Sequence, residues 1–379
     1  MSDVLFTWHN NSDSISELEC GLQLAQDSNA ASLLILACND NNFTKQNINP
    51  LIRHCNIPIF GGIYPKLIYK KQLMEQGCII IGFKQIVNVS LITQVSTLDT
   101  DEKLEKVIEQ TLPSQDQLTS NDSFLMFYDA LSSHIESFID CLFACLDHHI
   151  KIIGGGAGSL DFKQRPCIFT NEGLLADVIQ LVCLQSKIVT GATHGWQILQ
   201  GPFLVSEAHK QTVKSLNYSP AFNIYKEAIE NVSEHKFDSK NFFDIAKHFP
   251  LGIEDINNQL VVRDPILAYG DFIECVGNVP VNSMVYLLDG SIDSLLNASK
   301  EAAISATYDV DDSGFSATMV FDCISRVLFM QDSFSQELDL IAEQCFDQSF
   351  FGVLSLGEIA NNQSGAIKLL NKSTVIGSW

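Results

Sequence analysis

Three times along the chain an apolar run of strand length leads into a segment with helical apolar spacing, and then into a second apolar run that meets glycine. In the first copy the run Ser32–Cys38 precedes a predicted helix near residues 50–55 and the stretch 57–65, which holds Gly61 and Gly62. In the second, residues 124–129 precede a helix over 134–148, where Ile135, Phe138, Ile139, Leu142, Phe143 and Leu146 share one face. That helix leads to Ile150, Ile152 and Ile153 and then to the corner Gly154-Gly155-Gly156-Ala157-Gly158. A looser third copy runs from Thr318–Cys323 through a helix near 336–345 to the stretch 351–357. This pattern predicts a repeated strand, helix, strand architecture.

The intervening segments extend that plan. A strand over 4–8 precedes a helix over 14–26, with Ser14 and Glu17 at capping-box spacing. Strands follow at 78–81 and 87–92, then a surface helix at 101–110 and a polar loop over 112–123. Asn171-Glu172-Gly173 between apolar runs marks a hairpin turn. Gly201-Pro202 reads as a structural break, so the domain boundary is expected near residue 200. Beyond it come strands at 203–208 and 212–216, a helix over 220–231 opened by Pro220, and strands near 261–265, 272–277 and 284–288. A helix over 293–306 and an acidic, solvated stretch from Asp309 to Asp312 follow. The expected fold is α/β: two related modules, 1–200 and 201–379, with mixed sheets and outer helices in a layered sandwich.

Composition then narrows the function classes. With 379 residues, 46% hydrophobic and 18% charged, the chain can bury a large core. No apolar run approaches the roughly 20 residues that span a bilayer, and the N-terminus carries no secretory pattern. A cytoplasmic protein that does not bind membranes is therefore expected. Eleven cysteines without a C-x-x-C pair read as reduced, buried small hydrophobes. A net charge of −22 repels phosphate backbones, which argues against nucleic-acid binding and fits a basic protein partner or simple solubility.

The ordered segments resemble the FIST family, named for F-box and intracellular signal transduction proteins. The features that carry the resemblance are the Gly154–Gly158 corner with Phe162, the Thr170-Asn171-Glu172-Gly173 turn, Trp196, and Tyr218 through Phe222 with Tyr225. Val262-Arg263-Asp264, Asp322 through Arg326, Glu337, Gly352, Gly357-Glu358, Leu370-Asn371 and Thr374 continue the series. The resemblance covers essentially the whole chain, as an N-terminal and a C-terminal FIST module. It implies a sensory module without catalysis that binds a small ligand and signals to an output partner such as a kinase, cyclase or chemotaxis component. No output segment and no F-box-like segment is visible, so a stand-alone sensor with a separate partner is expected; a homo-oligomer stays open. One bacterial branch of the family binds haem and senses nitric oxide to regulate a histidine kinase, and it supplies the leading functional expectation. The alternative is a haem-free sensor of a small polar metabolite such as an amino acid.

A haem b would need an axial ligand, and the absence of C-x-x-C-H excludes covalent attachment. His194, in a glycine-flanked turn beside Trp196 at the module junction, is the expected ligand or else a hydrogen-bonding boundary histidine. His54, Cys55 and Tyr64 are alternatives, whereas His148 and His149 suit a helix terminus. Arg326 and Glu358, both at predicted strand ends, suit either recognition of a polar ligand or a mutual salt bridge. Gly155 and Gly156 allow close approach of a ligand or of a packed neighbour, and their spacing matches no nucleotide-binding motif. Cys323 beside Asp322 reads as a nucleophile or, with no histidine near it in sequence, as a core residue.

Overall fold

In the computed structural model, which describes residues 3–113, 117–147, 149–238, 240–255, 259–308, 315, 317–345, 350–361 and 365–379, the three glycine-bearing strand pairs are parallel. Ser32–Cys38 lies beside Ile59–Tyr64, Ser123–Asp129 beside Lys151–Ala157, and Thr318–Cys323 beside Phe350–Ser355. Parallel neighbours need a crossover. Helices Lys45–Ile52 and Ile135–Cys145 supply the first two, and the pair Ile324–Met330 and Phe334–Gln344 supplies the third. At one level in each copy a glycine faces the first strand: Gly61 opposite Ile35, Gly154 opposite Met126, and Gly352 opposite Val320. A β-carbon there would fall 2.1, 2.2 and 2.3 Å, respectively, from the partner's carbonyl oxygen, so only glycine fits.

Each unit runs edge strand, helix, strand, helix, strand, hairpin, returning strand. The edge strands are Val4–Asn10, Asn88–Thr93 and Val189–Thr193, and the returning strands are Cys78–Phe83, Val178–Leu184 and Thr374–Ser378. The hairpins cross between units. Lys66–Tyr69 of the first unit pairs with Phe350–Ser355, Ile168 of the second pairs with Gly62, and Glu358–Asn361 of the third pairs with Lys151–Ala157. Three six-stranded mixed sheets result.

Alternation along the strands divides their faces. Leu125 and Phe127 point into a core shared by all three sheets, while Phe124 and Met126 pack under the helices Asp101–Thr111 and Ile135–Cys145. One ring from each sheet meets at the centre: Phe127 lies 6.0 Å from Phe60 and 5.9 Å from Phe321. The third unit is interrupted. Between Val189–Thr193 and the helix Ile292–Thr307 the chain leaves to build a seven-stranded antiparallel sheet, from Gln197–His209 to Met284–Asp289, with its own apolar cluster under helix Ala221–Val232.

The α/β class, the mixed sheets and the outer helices agree with the sequence pattern. Strand pairing crosses residue 200, however: Val189–Thr193 joins Thr374–Ser378, and the first unit's hairpin joins the third sheet. The helix expected near 50–55 is Lys45–Ile52, opened by a capping box between Thr44 and Asn47, with Pro50 inside it. The Ser14–Glu17 box does not form, because Glu17 accepts a 2.8 Å hydrogen bond from Asn10 Nδ2. Gly201-Pro202 does not end a strand; Gln197–His209 carries it through two register shifts against Met284–Asp289. His148 and the stretch Asp309 to Asp312 lie outside the described residues.

Candidate functional site

A cavity of about 720 Å³ opens where three strands of the second and third units end at their carboxyl termini: Ser123–Asp129, Thr318–Cys323 and Phe350–Ser355. Ligands of open α/β sheets bind at such strand ends. The inserted sheet closes the other side with His209, Lys210, Asp264, Glu274 and Cys275, and Phe162 and Phe243 add aromatic wall.

The seam between insert and core is built from charge. Arg263 and Asp264 are neighbours on Leu260–Tyr269, so their side chains leave opposite faces. Arg263 Nη2 donates to Glu136 at 2.6 Å, and its Nη1 donates to the Leu369 carbonyl at 3.2 Å. Asp264 accepts a 2.6 Å hydrogen bond from the Ser325 hydroxyl through Oδ2. The fully buried Lys372 places Nζ 3.2 Å from Asp264 Oδ1, but off the hydrogen-bonding direction, and donates instead to the Lys247 carbonyl at 2.9 Å. Its ammonium also lies 5.1 Å from the centre of the Trp196 ring.

Two buried polar atoms on lining residues have no hydrogen-bond partner, Ser132 Oγ and Asn371 Oδ1, whereas Asp264 Oδ1 has the ion pair with Lys372. Ser132 is 8% exposed and Asn371 is 1% exposed. Buried polar atoms are normally satisfied, and leaving one unpaired costs about 1–3 kcal/mol. A cavity of about 460 Å³ occupies the corresponding place between the first and second units. There the buried Asp129 is satisfied by the Leu131 and Asp177 amides and by Gln164. The unmet polar atoms thus set the larger cavity apart from its counterpart.

None of the six site residues expected from sequence lines the large cavity. His194 is held on both sides: Nδ1 accepts the Trp196 amide at 2.9 Å, and the ring also hydrogen-bonds the Leu260 backbone. Burial, and then the nearby Arg326, lower its pKa to about 4, so the ring is neutral. With its ring nitrogens engaged, His194 does not fit an axial haem ligand. Trp196 is buried and donates Nε1–H to the Lys372 carbonyl at 3.3 Å.

Arg326 is fully buried and pairs with Glu337 and Asp322 rather than with Glu358. It also donates to the His194 carbonyl at 2.8 Å, the Leu295 carbonyl at 3.1 Å and Ser299 Oγ at 2.7 Å, so its guanidinium is committed to holding the chain together. Burial works against ionisation of Glu337, but Arg326 outweighs it and the pKa is lowered. Burial and then Glu337 push Asp322 well above the usual carboxylate range. Glu358 accepts from Ser355 Oγ at 2.7 Å, and burial pushes it up to about 8. Gly155 packs against Phe321 and Ser355, and Gly156 against Ala130 and the Leu356 carbonyl, which is the packing reading of the glycine corner. Cys323 does line the cavity, with its thiol pushed well above its usual range by burial and Glu358.

Two family models account for nearly all of this architecture. The FIST N domain matches residues 12–219 and the FIST C domain matches residues 221–361. The chain belongs to the FIST family. FIST domains are associated with sensing of small ligands in signal transduction. Among curated proteins, none matches the chain. The junction of the two FIST matches falls inside the inserted sheet, at Ser219–Pro220, so both matches contribute strands to it. In the sequence of this FIST chain, Asp264 and Asn371 stand only among the features that carry the family resemblance, and Ser132 is unmarked. The available signal was topological: Ser132 follows Asp129 at the end of a parallel strand, where ligand-binding loops gather.

Proposed function

We propose that this FIST chain is a ligand-sensing protein of signal transduction that binds a small polar molecule in the large cavity, without catalysis. It then passes occupancy to a separate output protein such as a signalling kinase. The observation that carries this reading is the cavity of about 720 Å³ at the carboxyl ends of parallel strands, walled by both the core and the inserted sheet. The thiols of Cys323 and Cys275 are both raised by burial, so neither is a ready nucleophile, which fits binding rather than covalent chemistry. Of the two readings the family suggests, the haem-free one is favoured, because His194 does not fit a haem iron.

The wall is shared by core and insert, so an occupant contacts both bodies and favours the arrangement that grips it. Asp264 ties the cavity to Lys372, and Lys372 in turn to Trp196, beside the passage where the chain enters the insert. The test is thermal shift of the purified chain against amino acids, amines, sugars and nucleosides, with Ser132→Ala and Asn371→Ala as cavity variants. At least one compound raises the melting temperature, and the variants reduce the rise. A rise of equal size in both variants places the binding elsewhere and overturns the reading.

A further inference from the structure

We infer that the edge strand Val4–Asn10 pairs with the same strand of a second copy, antiparallel about a two-fold axis at Trp8, so that two chains form a dimer through one continuous sheet. Val4–Asn10 ends the sheet of the first unit, with Cys78–Phe83 on its inner side. The ladder fixes which of its backbone groups stay open. Cys38 N–H donates to the Gly77 carbonyl, whereas Leu33 N–H, of the other parity, donates to the Pro58 carbonyl on the opposite side. Hydrogen-bonded residues alternate along an antiparallel pair. Ile79, Ile81 and Phe83 therefore bond to Ser32–Cys38, and Cys78, Ile80 and Gly82 bond to their partners Asn10, Trp8 and Phe6. Thr7 and His9 thus aim their N–H and C=O groups away from the sheet. The register shift lies between Val4 and Phe6, which leaves the stretch from Phe6 to Asn10 regular.

Natural edge strands are kept from pairing by lysine, proline, shortness or cover. Val4–Asn10 has no lysine, proline or carboxylate, and none of its residues is buried although Val4, Leu5, Phe6 and Trp8 are apolar. His9, stacked 3.8 Å from Tyr69, adds no charge, since burial and then Lys70 lower its pKa. The other strands that end the six-stranded sheets are guarded. Gln72–Met74 and Gly173–Leu175 have three residues each, and Ile367–Leu370 carries Lys368. Asn88–Thr93 buries Ser90 and Ile92, and Ser90 Oγ donates to the Thr111 carbonyl. Helix Ile292–Thr307 lies so close on Val189–Thr193 that a β-carbon at Gly191 would fall 1.9 Å from the Ala302 carbonyl oxygen.

The open edge is its own complement. With the axis at Trp8, Thr7 of each copy faces His9 of the other, and each such pair exchanges both N–H···O bonds. The regular stretch is then used in full. Trp8 meets its copy as the close, non-hydrogen-bonded pair, a favourable aromatic contact. A two-fold contact of this kind closes on itself. An uncharged edge is also where two chains of net charge −22 can meet with the least repulsion.

The test is sedimentation velocity of the full chain over a wide concentration range, joined to residue-resolved hydrogen exchange at both ends of that range. The chain dimerises, and the dimer tightens as salt is added, because like-charged chains are screened. Exchange at the Thr7 and His9 amides slows as the concentration rises, whereas Phe6, Trp8 and Asn10 are already slow in the monomer. Thr7→Pro removes one outward N–H from each copy, which an edge strand tolerates, and weakens the dimer roughly thirtyfold, as the loss of two ordinary hydrogen bonds does. A monomer at every concentration overturns the inference and leaves the edge to a foreign strand. A dimer in which Thr7 and His9 exchange as fast as in the monomer, or one that salt dissociates, lies at another surface and overturns it too. Should Thr7→Pro fail to fold, the exchange pattern of the parent chain decides alone.

Discussion

Lys372 Nζ and Asp264 Oδ1 lie 3.2 Å apart with both side chains buried, one on the third unit and the other on the inserted sheet. Removing one partner of such a pair strands the other in a poorly solvated place. Lys372→Met is expected to lower stability by about 3–5 kcal/mol in urea denaturation. The double variant with Asp264→Asn should regain part of that loss, because it removes the stranded charge. A single-variant loss below about 1 kcal/mol, the range of exposed pairs, would show that the pair is solvated.

Gly154→Ala is expected to cost more than about 3 kcal/mol, since overpacking of this severity has no flexible side chain to absorb it. The obstacle is the Met126 carbonyl oxygen, 2.2 Å from the new β-carbon. Gly61→Ala and Gly352→Ala should behave alike. Gly270, in an open turn at φ +57° with nothing within 4 Å, is the control. Its change to alanine should cost only the left-handed backbone penalty of about 1–2 kcal/mol. Equal losses at Gly154 and Gly270 in the same denaturation experiment would contradict the steric account.

Glu358 sets a pH dependence. Its carboxyl keeps a proton up to about 8 in the folded chain, against an ordinary value of 4.5. Its contribution is full below 4.5, falls as pH rises toward 8, and is flat above that, with a total on the order of a few kcal/mol. Glu358→Gln should flatten the decline of the urea midpoint across this window. If variant and parent decline in parallel, the proton is not on Glu358.

His194→Ala should cost about 1–3 kcal/mol through its lost hydrogen bonds. It should leave the Soret absorbance of any added haem the same as in the parent. A Soret change confined to this variant would restore His194 as a haem ligand. The parent should also lose stability below pH 6.5 as His194, lowered to about 4, is forced to take a proton, and the variant should lose less.

Much of the fold was legible because periodicity reports local burial. The runs around Leu34, Met126 and Val320 are apolar on both faces, as sandwiched parallel strands must be. Even the glycines could be read, since Gly61 and Gly154 follow similar runs. Hairpin exchange could not, because Lys66–Tyr69 carries no local mark of a partner almost three hundred residues away in Phe350–Ser355. The candidate cavity was not legible, for a related reason. Arg326 and Glu358 stood out as charges at strand ends, but a charge in an apolar context marks a buried network as readily as a ligand contact. Arg326 is fully engaged, while Ser132, unmarked in the sequence, and Asn371, marked only by the family pattern, are the lining residues whose buried side-chain oxygens lack a hydrogen-bond partner.

The exchanged hairpins also set an order on synthesis. Lys66–Tyr69 leaves the ribosome early, yet its sheet is finished only when Phe350–Ser355 and Thr374–Ser378 have emerged. Until then the nascent chain presents an unpaired strand edge, the kind of surface that recruits other chains. Ribosome-associated helpers that shield extended segments therefore have a target in the first third of this polypeptide for most of its translation.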